Sequence, residues 1–144
     1  RDDLLGTVEF TAPETRLGRR PDARVDQFSL GIIAYQLLTG KHPYGNALDK
    51  AQSLRDFSLL RYTPSYEHNP LIPVWLDGAI RKACSVDPQN RYEALSEFEY
   101  DLTHPNDKFL LTEPLAKVAN RSLTAWKLTA VALVVMLLIL LMNR

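Results

Sequence analysis

One stretch of this sequence restricts what the chain can be more than any other. Residues 128–142 are large and apolar except for Thr129, Ala130 and Ala132, and they contain no charge, Gly or Pro. As a helix, a run of this length reaches roughly 22 Å, short of a hydrocarbon core about 30 Å thick. Adding Leu123, Thr124, Ala125 and Trp126 supplies another turn and brings 123–142 into range. Lys127 then sits near the N-terminal edge, where its long stem can snorkel to the interface beside Trp126. A buried core helix is the alternative, but such a helix usually shows some polar face, and this run shows none. The pattern predicts one membrane-spanning helix over 123–142.

Charge divides the chain in the same place. Residues 1–113 carry 13 Lys and Arg against 17 Asp and Glu, a net of −4, whereas residues 114–144 carry Lys117, Arg121, Lys127 and Arg144 with no acid, a net of +4. An acidic body with a basic, apolar tail suits membrane attachment and argues against nucleic-acid binding. Three of the four tail cations precede the apolar run 128–142, which places the body in the cytoplasm. Cys84 is the only cysteine, so no intrachain disulfide is possible, and a buried thiol in a reducing compartment is expected. His42, His68 and His104 are scattered, with no pair at metal-ligand spacing.

The body reads as helical. Residues 26–39 are apolar nearly all round, with Asp26 as N-cap, Gly40 as stop and Pro43 closing the exit, so a central, buried helix is expected. A second helix is expected over 47–62, a third over 75–84 and a fourth over 93–102. Pro64, Pro70 and Pro73 mark a loop, and 104–122 reads as a linker. No confident strand alternation and no internal repeat is present.

Three short patterns follow one another in this body. The first is Gly6-Thr7-Val8-Glu9-Phe10-Thr11-Ala12-Pro13-Glu14. It resembles the end of a protein-kinase activation segment, G-T-x-x-Y-x-A-P-E, with Phe10 in place of the usual Tyr. The second runs Asp26-Gln27-Phe28-Ser29-Leu30-Gly31, then Tyr35, Leu37-Leu38-Thr39-Gly40 and Pro43-Tyr44. It resembles the central helix of the kinase C-lobe. The third, Asp87-Pro88-Gln89-Asn90-Arg91, is similar to the D-P-x-x-R element before the last helix of that lobe. A-P-E alone is a weak signal, but three motifs in order over residues 5–103 are a strong one. A narrower resemblance rests on Arg91-Tyr92-Glu93-Ala94-Leu95-Ser96-Glu97-Phe98, Asp101-Leu102 and His104-Pro105-Asn106 followed by a terminal membrane helix. These look like bacterial proteins that fuse a PP2C-type phosphatase to a serine/threonine kinase.

The resemblance implies a mainly α fold, the C-terminal helical portion of a kinase C-lobe over 1–103, joined through 104–122 to the membrane helix. It implies that Glu14 and Arg91 form the buried ion pair of that lobe, with Ala12, Pro13, Asp26 and Gly31 as its structural residues. Thr7 matches the threonine next to the phospho-acceptor in serine/threonine kinases. Asp26 matches the residue that accepts hydrogen bonds from the catalytic loop. Arg16, Arg19, Arg20 and Arg24 read as a solvated basic loop, interrupted by Asp22 and Asp26.

Phosphoryl transfer needs a Gly-rich loop, a strand lysine, a catalytic Asp and Asn and Asp ligands for Mg²⁺. The sequence contains no G-x-G-x-x-G, H-R-D or D-F-G. Arg1-Asp2 is not a catalytic-loop remnant, because Thr7 stands where the Asn would be and A-P-E follows too soon. The expectation is therefore a piece of a kinase, inactive alone. Its parent would use Mg·ATP on protein substrates and be anchored in the bilayer of a bacterial inner membrane. A tail-anchored interaction module and a helical membrane protein with chance resemblance are the alternatives.

Overall fold

The computed structural model describes residues 9–110, and among these all regular structure is helical. Thr7, Trp126, Lys127 and the expected span 123–142 lie outside the described residues. Within the described part, no helix is long and apolar enough to cross a membrane.

Extended Ala12 leads into α1 (Pro13–Arg16), where Pro13 occupies the first turn. Proline is suited to that position, because its fixed φ matches the helix and its missing N–H would have had no partner there. The central helix α2 spans Arg24–Thr39. The expected cap at Asp26 is not formed. The helix begins earlier, with Ala23 at the cap position and no side-chain cap bond, which leaves Asp26 exposed in the first turn. Asp22 does the local work instead, since its Oδ1 accepts the Arg24 N–H at 2.9 Å. An acid inside the first turn still interacts favourably with the helix dipole. The far end follows the expectation. Gly40 takes the left-handed conformation, φ 65° and ψ 14°, and its N–H reaches Gln36 O at 2.7 Å.

Only one side of α2 is covered. Phe28, Ile32 and Tyr35 are fully buried, while Leu30, Ile33, Leu37 and Leu38 expose 41%, 41%, 82% and 37% of their surface. The expectation of a helix buried all round is thus met on one face only.

The single helix expected over 47–62 is two short ones, α3 (Ala47–Lys50) and α4 (Leu54–Ser58). The break has a local cause. Ser53 and Asp56 form a capping box, each side chain bonding the other's backbone N–H, and this starts a new helix rather than continuing the old one. The proline-marked loop contains one helical turn, α5 (Ser65–His68). Then come α6 (Val74–Ala83), a 3₁₀ turn at Pro88–Asn90, and α7 (Leu95–Thr103). The segment expected as linker contains a further turn, α8 (Asp107–Leu110).

The core forms where α6 packs against α2; α7 and α8 also pack against α6, and α7 touches α2 as well. Gly31 makes the α2–α6 crossing close. A Cβ there would lie 3.0 Å from both Cys84 Cβ and Cys84 N. Cys84 itself is fully buried, its thiol donates to Ile80 O at 3.0 Å, and burial pushes its pKa up.

His42 ties the turn after α2 to the chain before α1. Its Nδ1 accepts the Tyr44 N–H at 3.2 Å, so the ring proton is on Nε2, which faces Glu9 O at 3.3 Å. Burial lowers the His42 pKa below 6.5, against the backbone bond to Glu9 and the charges of Asp49 and Glu9, which raise it. The unfolded chain therefore binds the proton more readily than the folded one. The His42 contribution is fully present above the unfolded value of 6.5 and is lost as pH falls from there through the lower folded value. Urea midpoints of the full chain at pH 7.5 and 5.5 should show lower stability at the acid end. His42→Asn should shrink that difference, and an unchanged pH slope in the variant would refute the assignment.

Candidate functional site

The most strongly connected side chain among the described residues is Arg91. Three local features place it. Asp87 Oδ1 accepts the Gln89 N–H at 3.0 Å, Pro88 opens the 3₁₀ turn, and Arg91 leaves that turn in extended conformation. Pro13 sets Glu14 in the first turn of α1 in the same way. The two side chains meet although 77 residues separate them.

The contact is bidentate. Arg91 Nη1 donates to Glu14 Oε1 at 2.6 Å and Nη2 to Glu14 Oε2 at 2.9 Å. The planar guanidinium fork matches a carboxylate in this arrangement. Nη1 also reaches Arg24 O at 2.9 Å, Nη2 reaches Val86 O at 3.4 Å, and Nε reaches Ser85 O at 2.8 Å. These bonds match the five N–H groups of a guanidinium. Its carbon lies 4.9 Å from the centre of the Phe28 ring. The side chains of Arg91 and Glu14 are 0% and 8% exposed. One residue thereby joins α1, the start of α2 and the segment after α6.

The rest of the first motif is held to the same core. Ala12 is fully buried and Pro13 is buried. Ser29 Oγ donates to Phe10 O at 2.8 Å, fixing the chain before α1 onto α2. Asp26 has no side-chain hydrogen bond among the described residues and faces solvent.

The basic loop is not uniformly solvated as expected. Arg19 and Arg20 are exposed, but Arg16 and Arg24 are structural. Arg16 Nη1 donates to Leu48 O at 2.6 Å, and its Nη2 donates to Asp49 O and Ala51 O at 3.0 Å each. A cation on the last carbonyls of α3 is favourable for the helix dipole. Arg24 Nη1 reaches Pro88 O at 3.2 Å. The sequence pattern gave no sign of these roles, because the carbonyl partners lie more than 30 residues away.

Asp77 was also missed. It is 1% exposed, and its Oδ1 accepts the Ser65 N–H at 2.6 Å and the Tyr62 hydroxyl at 2.9 Å. It therefore caps α5 from α6. The one available signal was a lone acid at 77 among Trp75, Leu76, Ala79 and Ile80.

Chemically this is a fixing device. Arg91 directs its donors at Glu14 and at backbone carbonyls, so it sets where residues 9–14 run relative to the helices. Replacing Glu14 by Ala would strand a buried guanidinium, a change that typically costs about 3–5 kcal/mol. We expect Glu14→Ala and Arg91→Ala each to lower the urea midpoint of the full chain steeply. The double variant should be far less destabilised than the sum of the two, and strict additivity would show that the pair is not coupled.

The model of the protein kinase domain family matches residues 1–102. Among individual proteins, the chain is 38% identical over 95 residues to the serine/threonine-protein kinase Pkn1 of Myxococcus xanthus, covering 66% of this chain and 14% of that protein. It is 33% identical over 99 residues to PknB of Mycolicibacterium smegmatis, covering 69% of this chain and 16% of the relative. It is 33% identical over 113 residues to PrkC of Bacillus subtilis, covering 78% and 17%. The chain thus spans a small part of the length of these curated relatives. With the family match extending over most of the chain, and Glu14 joined to Arg91 between its first and third motifs, this chain belongs to the protein kinase domain family.

Proposed function

We propose that the chain is the substrate-side part of the catalytic domain of a membrane-anchored bacterial serine/threonine protein kinase. The observation that carries the reading is the buried Glu14–Arg91 contact, which ties A-P-E to D-P-x-x-R across the helical core. In the whole kinase, the bond from the γ-phosphorus of ATP to its bridging oxygen would break with ADP leaving, a bond to a protein Ser or Thr oxygen would form, and the hydroxyl proton would pass to the catalytic-loop Asp, which lies outside this chain. The lobe supplies the platform that holds the activation segment, and Thr7 takes the role of the threonine next to the phospho-acceptor on the strength of the G-T-x-x-x-x-A-P-E resemblance alone.

Mg·ATP is the cofactor of that reaction, and the described residues do not fit it. The buried carboxylates of Glu14, Asp77 and Asp101 each accept hydrogen bonds from within the lobe. None is arranged as a metal ligand, so the nucleotide site of the proposal lies outside these residues. The exposed Asp26 supports its role as acceptor for a catalytic-loop backbone. It lies on the helix that also exposes Leu30, Ile33 and Leu37. The runs 91–98 and 101–106 support the narrower likeness to PP2C-phosphatase–kinase fusions.

The span 123–142 holds this assembly in the bilayer of the bacterial inner membrane, with Trp126 and Lys127 at the cytoplasmic face. Protein substrates approach from that side, and nucleic acid is not a partner.

The purified chain, incubated with Mg·ATP and a general protein substrate, should transfer no phosphate. The reading frame extended upstream to include a Gly-rich loop, H-R-D and D-F-G should be active. Autophosphorylation by the chain alone, or an extended frame without those motifs, would overturn the proposal.

Anchoring is tested separately. The full chain expressed in bacteria should stay in the membrane pellet through an alkaline carbonate wash. Its appearance in the supernatant would count against the span.

A further inference from the structure

Neither Ser29 nor His42 takes part in the Glu14–Arg91 contact, yet their side chains reach two consecutive carbonyls of the chain that enters α1. Ser29 Oγ donates to Phe10 O at 2.8 Å, and its other acceptor, Val25 O one turn back, is farther away at 3.3 Å. The half-buried His42 ring presents Nε2 to Glu9 O at 3.3 Å. Glu9 and Phe10 are themselves half-buried, and Phe10 packs on the cluster that contains Ala12, Phe28 and Tyr35. The body of α2 and the turn after it therefore both grip adjacent peptide groups, between G-T and A-P-E of the first motif.

The donor on His42 is held in place by its own turn. Gly45 takes a φ of 53°, which suits glycine, and its N–H donates to His42 O at 3.1 Å. The Tyr44 N–H donates to His42 Nδ1 at 3.2 Å, which leaves the ring proton on Nε2. The turn is in turn fastened to the lobe. The Thr63 N–H donates to Pro43 O at 2.8 Å, and the buried Tyr44 hydroxyl donates to Cys84 O at 2.8 Å. Accepting the Tyr44 N–H needs only a short side-chain oxygen, as in an Asx turn. The imidazole adds one thing to that, a rigid donor that reaches the incoming chain.

We propose that His42 is a positioning residue which, together with Ser29, sets the backbone of residues 9–10 for binding of the protein substrate. The inference rests on the kinase reading, in which this stretch follows the threonine matched to the one beside the phospho-acceptor. Both carbonyls are engaged by the lobe, so the path of the chain that a substrate meets is set by α2 and the turn after it. The effect falls on affinity for the protein substrate and leaves affinity for Mg·ATP alone.

Two substitutions separate the bonds of His42. His42→Asn keeps an acceptor for the Tyr44 N–H and loses the donor to Glu9. His42→Gln places an amide nitrogen near the position of Nε2 and keeps that donor. In the full chain in detergent micelles, chymotrypsin should cut the Phe10–Thr11 bond about tenfold faster in His42→Asn. That is the change one net hydrogen bond makes in a local opening equilibrium. Ser29→Ala should have a similar effect, and His42→Gln should stay near wild type. In the reading frame extended upstream, His42→Asn and Ser29→Ala should each raise KM for myelin basic protein about tenfold, with KM for Mg·ATP unchanged. His42→Gln should restore it. Unchanged cleavage at Phe10–Thr11, or an unchanged KM for myelin basic protein, would overturn the inference and leave the kinase reading standing. So would a fall in kcat with both KM values unmoved, which marks a merely structural role, or His42→Gln behaving as His42→Asn. An extended wild type that transfers no phosphate to myelin basic protein would sink the kinase reading, and the inference with it.

Discussion

The rest of the lobe depends on a guanidinium that has been removed from water. Burying an isolated charge is prohibitively costly, so Arg91 is tolerable only because its donors find Glu14 and three backbone carbonyls. That requirement propagates outward. Glu14 has to be at the first turn of α1, which Pro13 and the extended Ala12 arrange. The carbonyls of Ser85 and Val86 have to point inward, so the chain after α6 takes a single path. The Arg24 carbonyl has to be available at the start of α2. Three elements distant in sequence are thus held in one geometry by one side chain. Such a pair gives weak grounds for high stability, because its desolvation offsets much of its attraction. Its better-founded effect is to exclude alternative arrangements, since any of them would leave a charge buried and unpartnered.

The polar atoms elsewhere follow the same logic on a smaller scale. Asp77 reaches out of an apolar helix to cap α5 and to hold Tyr62, and Arg16 closes the end of α3. Asp101 gathers Tyr92 and Asn106. Each is a charged group whose partners are mostly neutral backbone or hydroxyl groups. The helices here are short, and short helices have a high ratio of unsatisfied terminal N–H and C=O groups to internal bonds. Side chains from neighbouring elements supply the missing partners.

This explains what was legible in the sequence and what was not. Helix α2 could be read from its apolar residues and Gly40, because those signals are local. Helix α6 was placed to within a residue for the same reason. The Glu14–Arg91 contact was legible only through the resemblance of the motifs that contain the two residues. Charge patterning alone would have left both on the surface. The break between α3 and α4 was missed because apolar spacing continues across it, and the capping box of Ser53 and Asp56 overrides that spacing. Asp26 was misassigned as a cap because Asp22, Ala23 and Arg24 allow a helix start two residues earlier. The roles of Arg16, Asp77 and Asn106 were not legible, since each is defined by partners from elsewhere in the fold: backbone carbonyls for Arg16, a hydroxyl and a backbone N–H for Asp77, a carboxylate for Asn106.

The two faces of α2 bear on how much of a functional unit the described lobe is. Phe28, Ile32 and Tyr35 on one face are fully covered by α6 and its neighbours. Leu30, Ile33 and Leu37, spaced at helical intervals on the other, are not. A surface helix with one layer beneath it ordinarily carries polar residues on its outer side. This one does not, so its sequence is that of a helix covered on both sides. The exposed carboxylate of Asp26 lies at the start of the same helix, where a second layer could supply hydrogen-bond donors. Pattern and exposure disagree along one stripe, and the disagreement is resolved if the lobe is one side of a larger interior. That is the same division of labour as in the proposed kinase. In that kinase the described helices would fix the activation segment, and further elements of the catalytic domain would lie against the face that α2 leaves open.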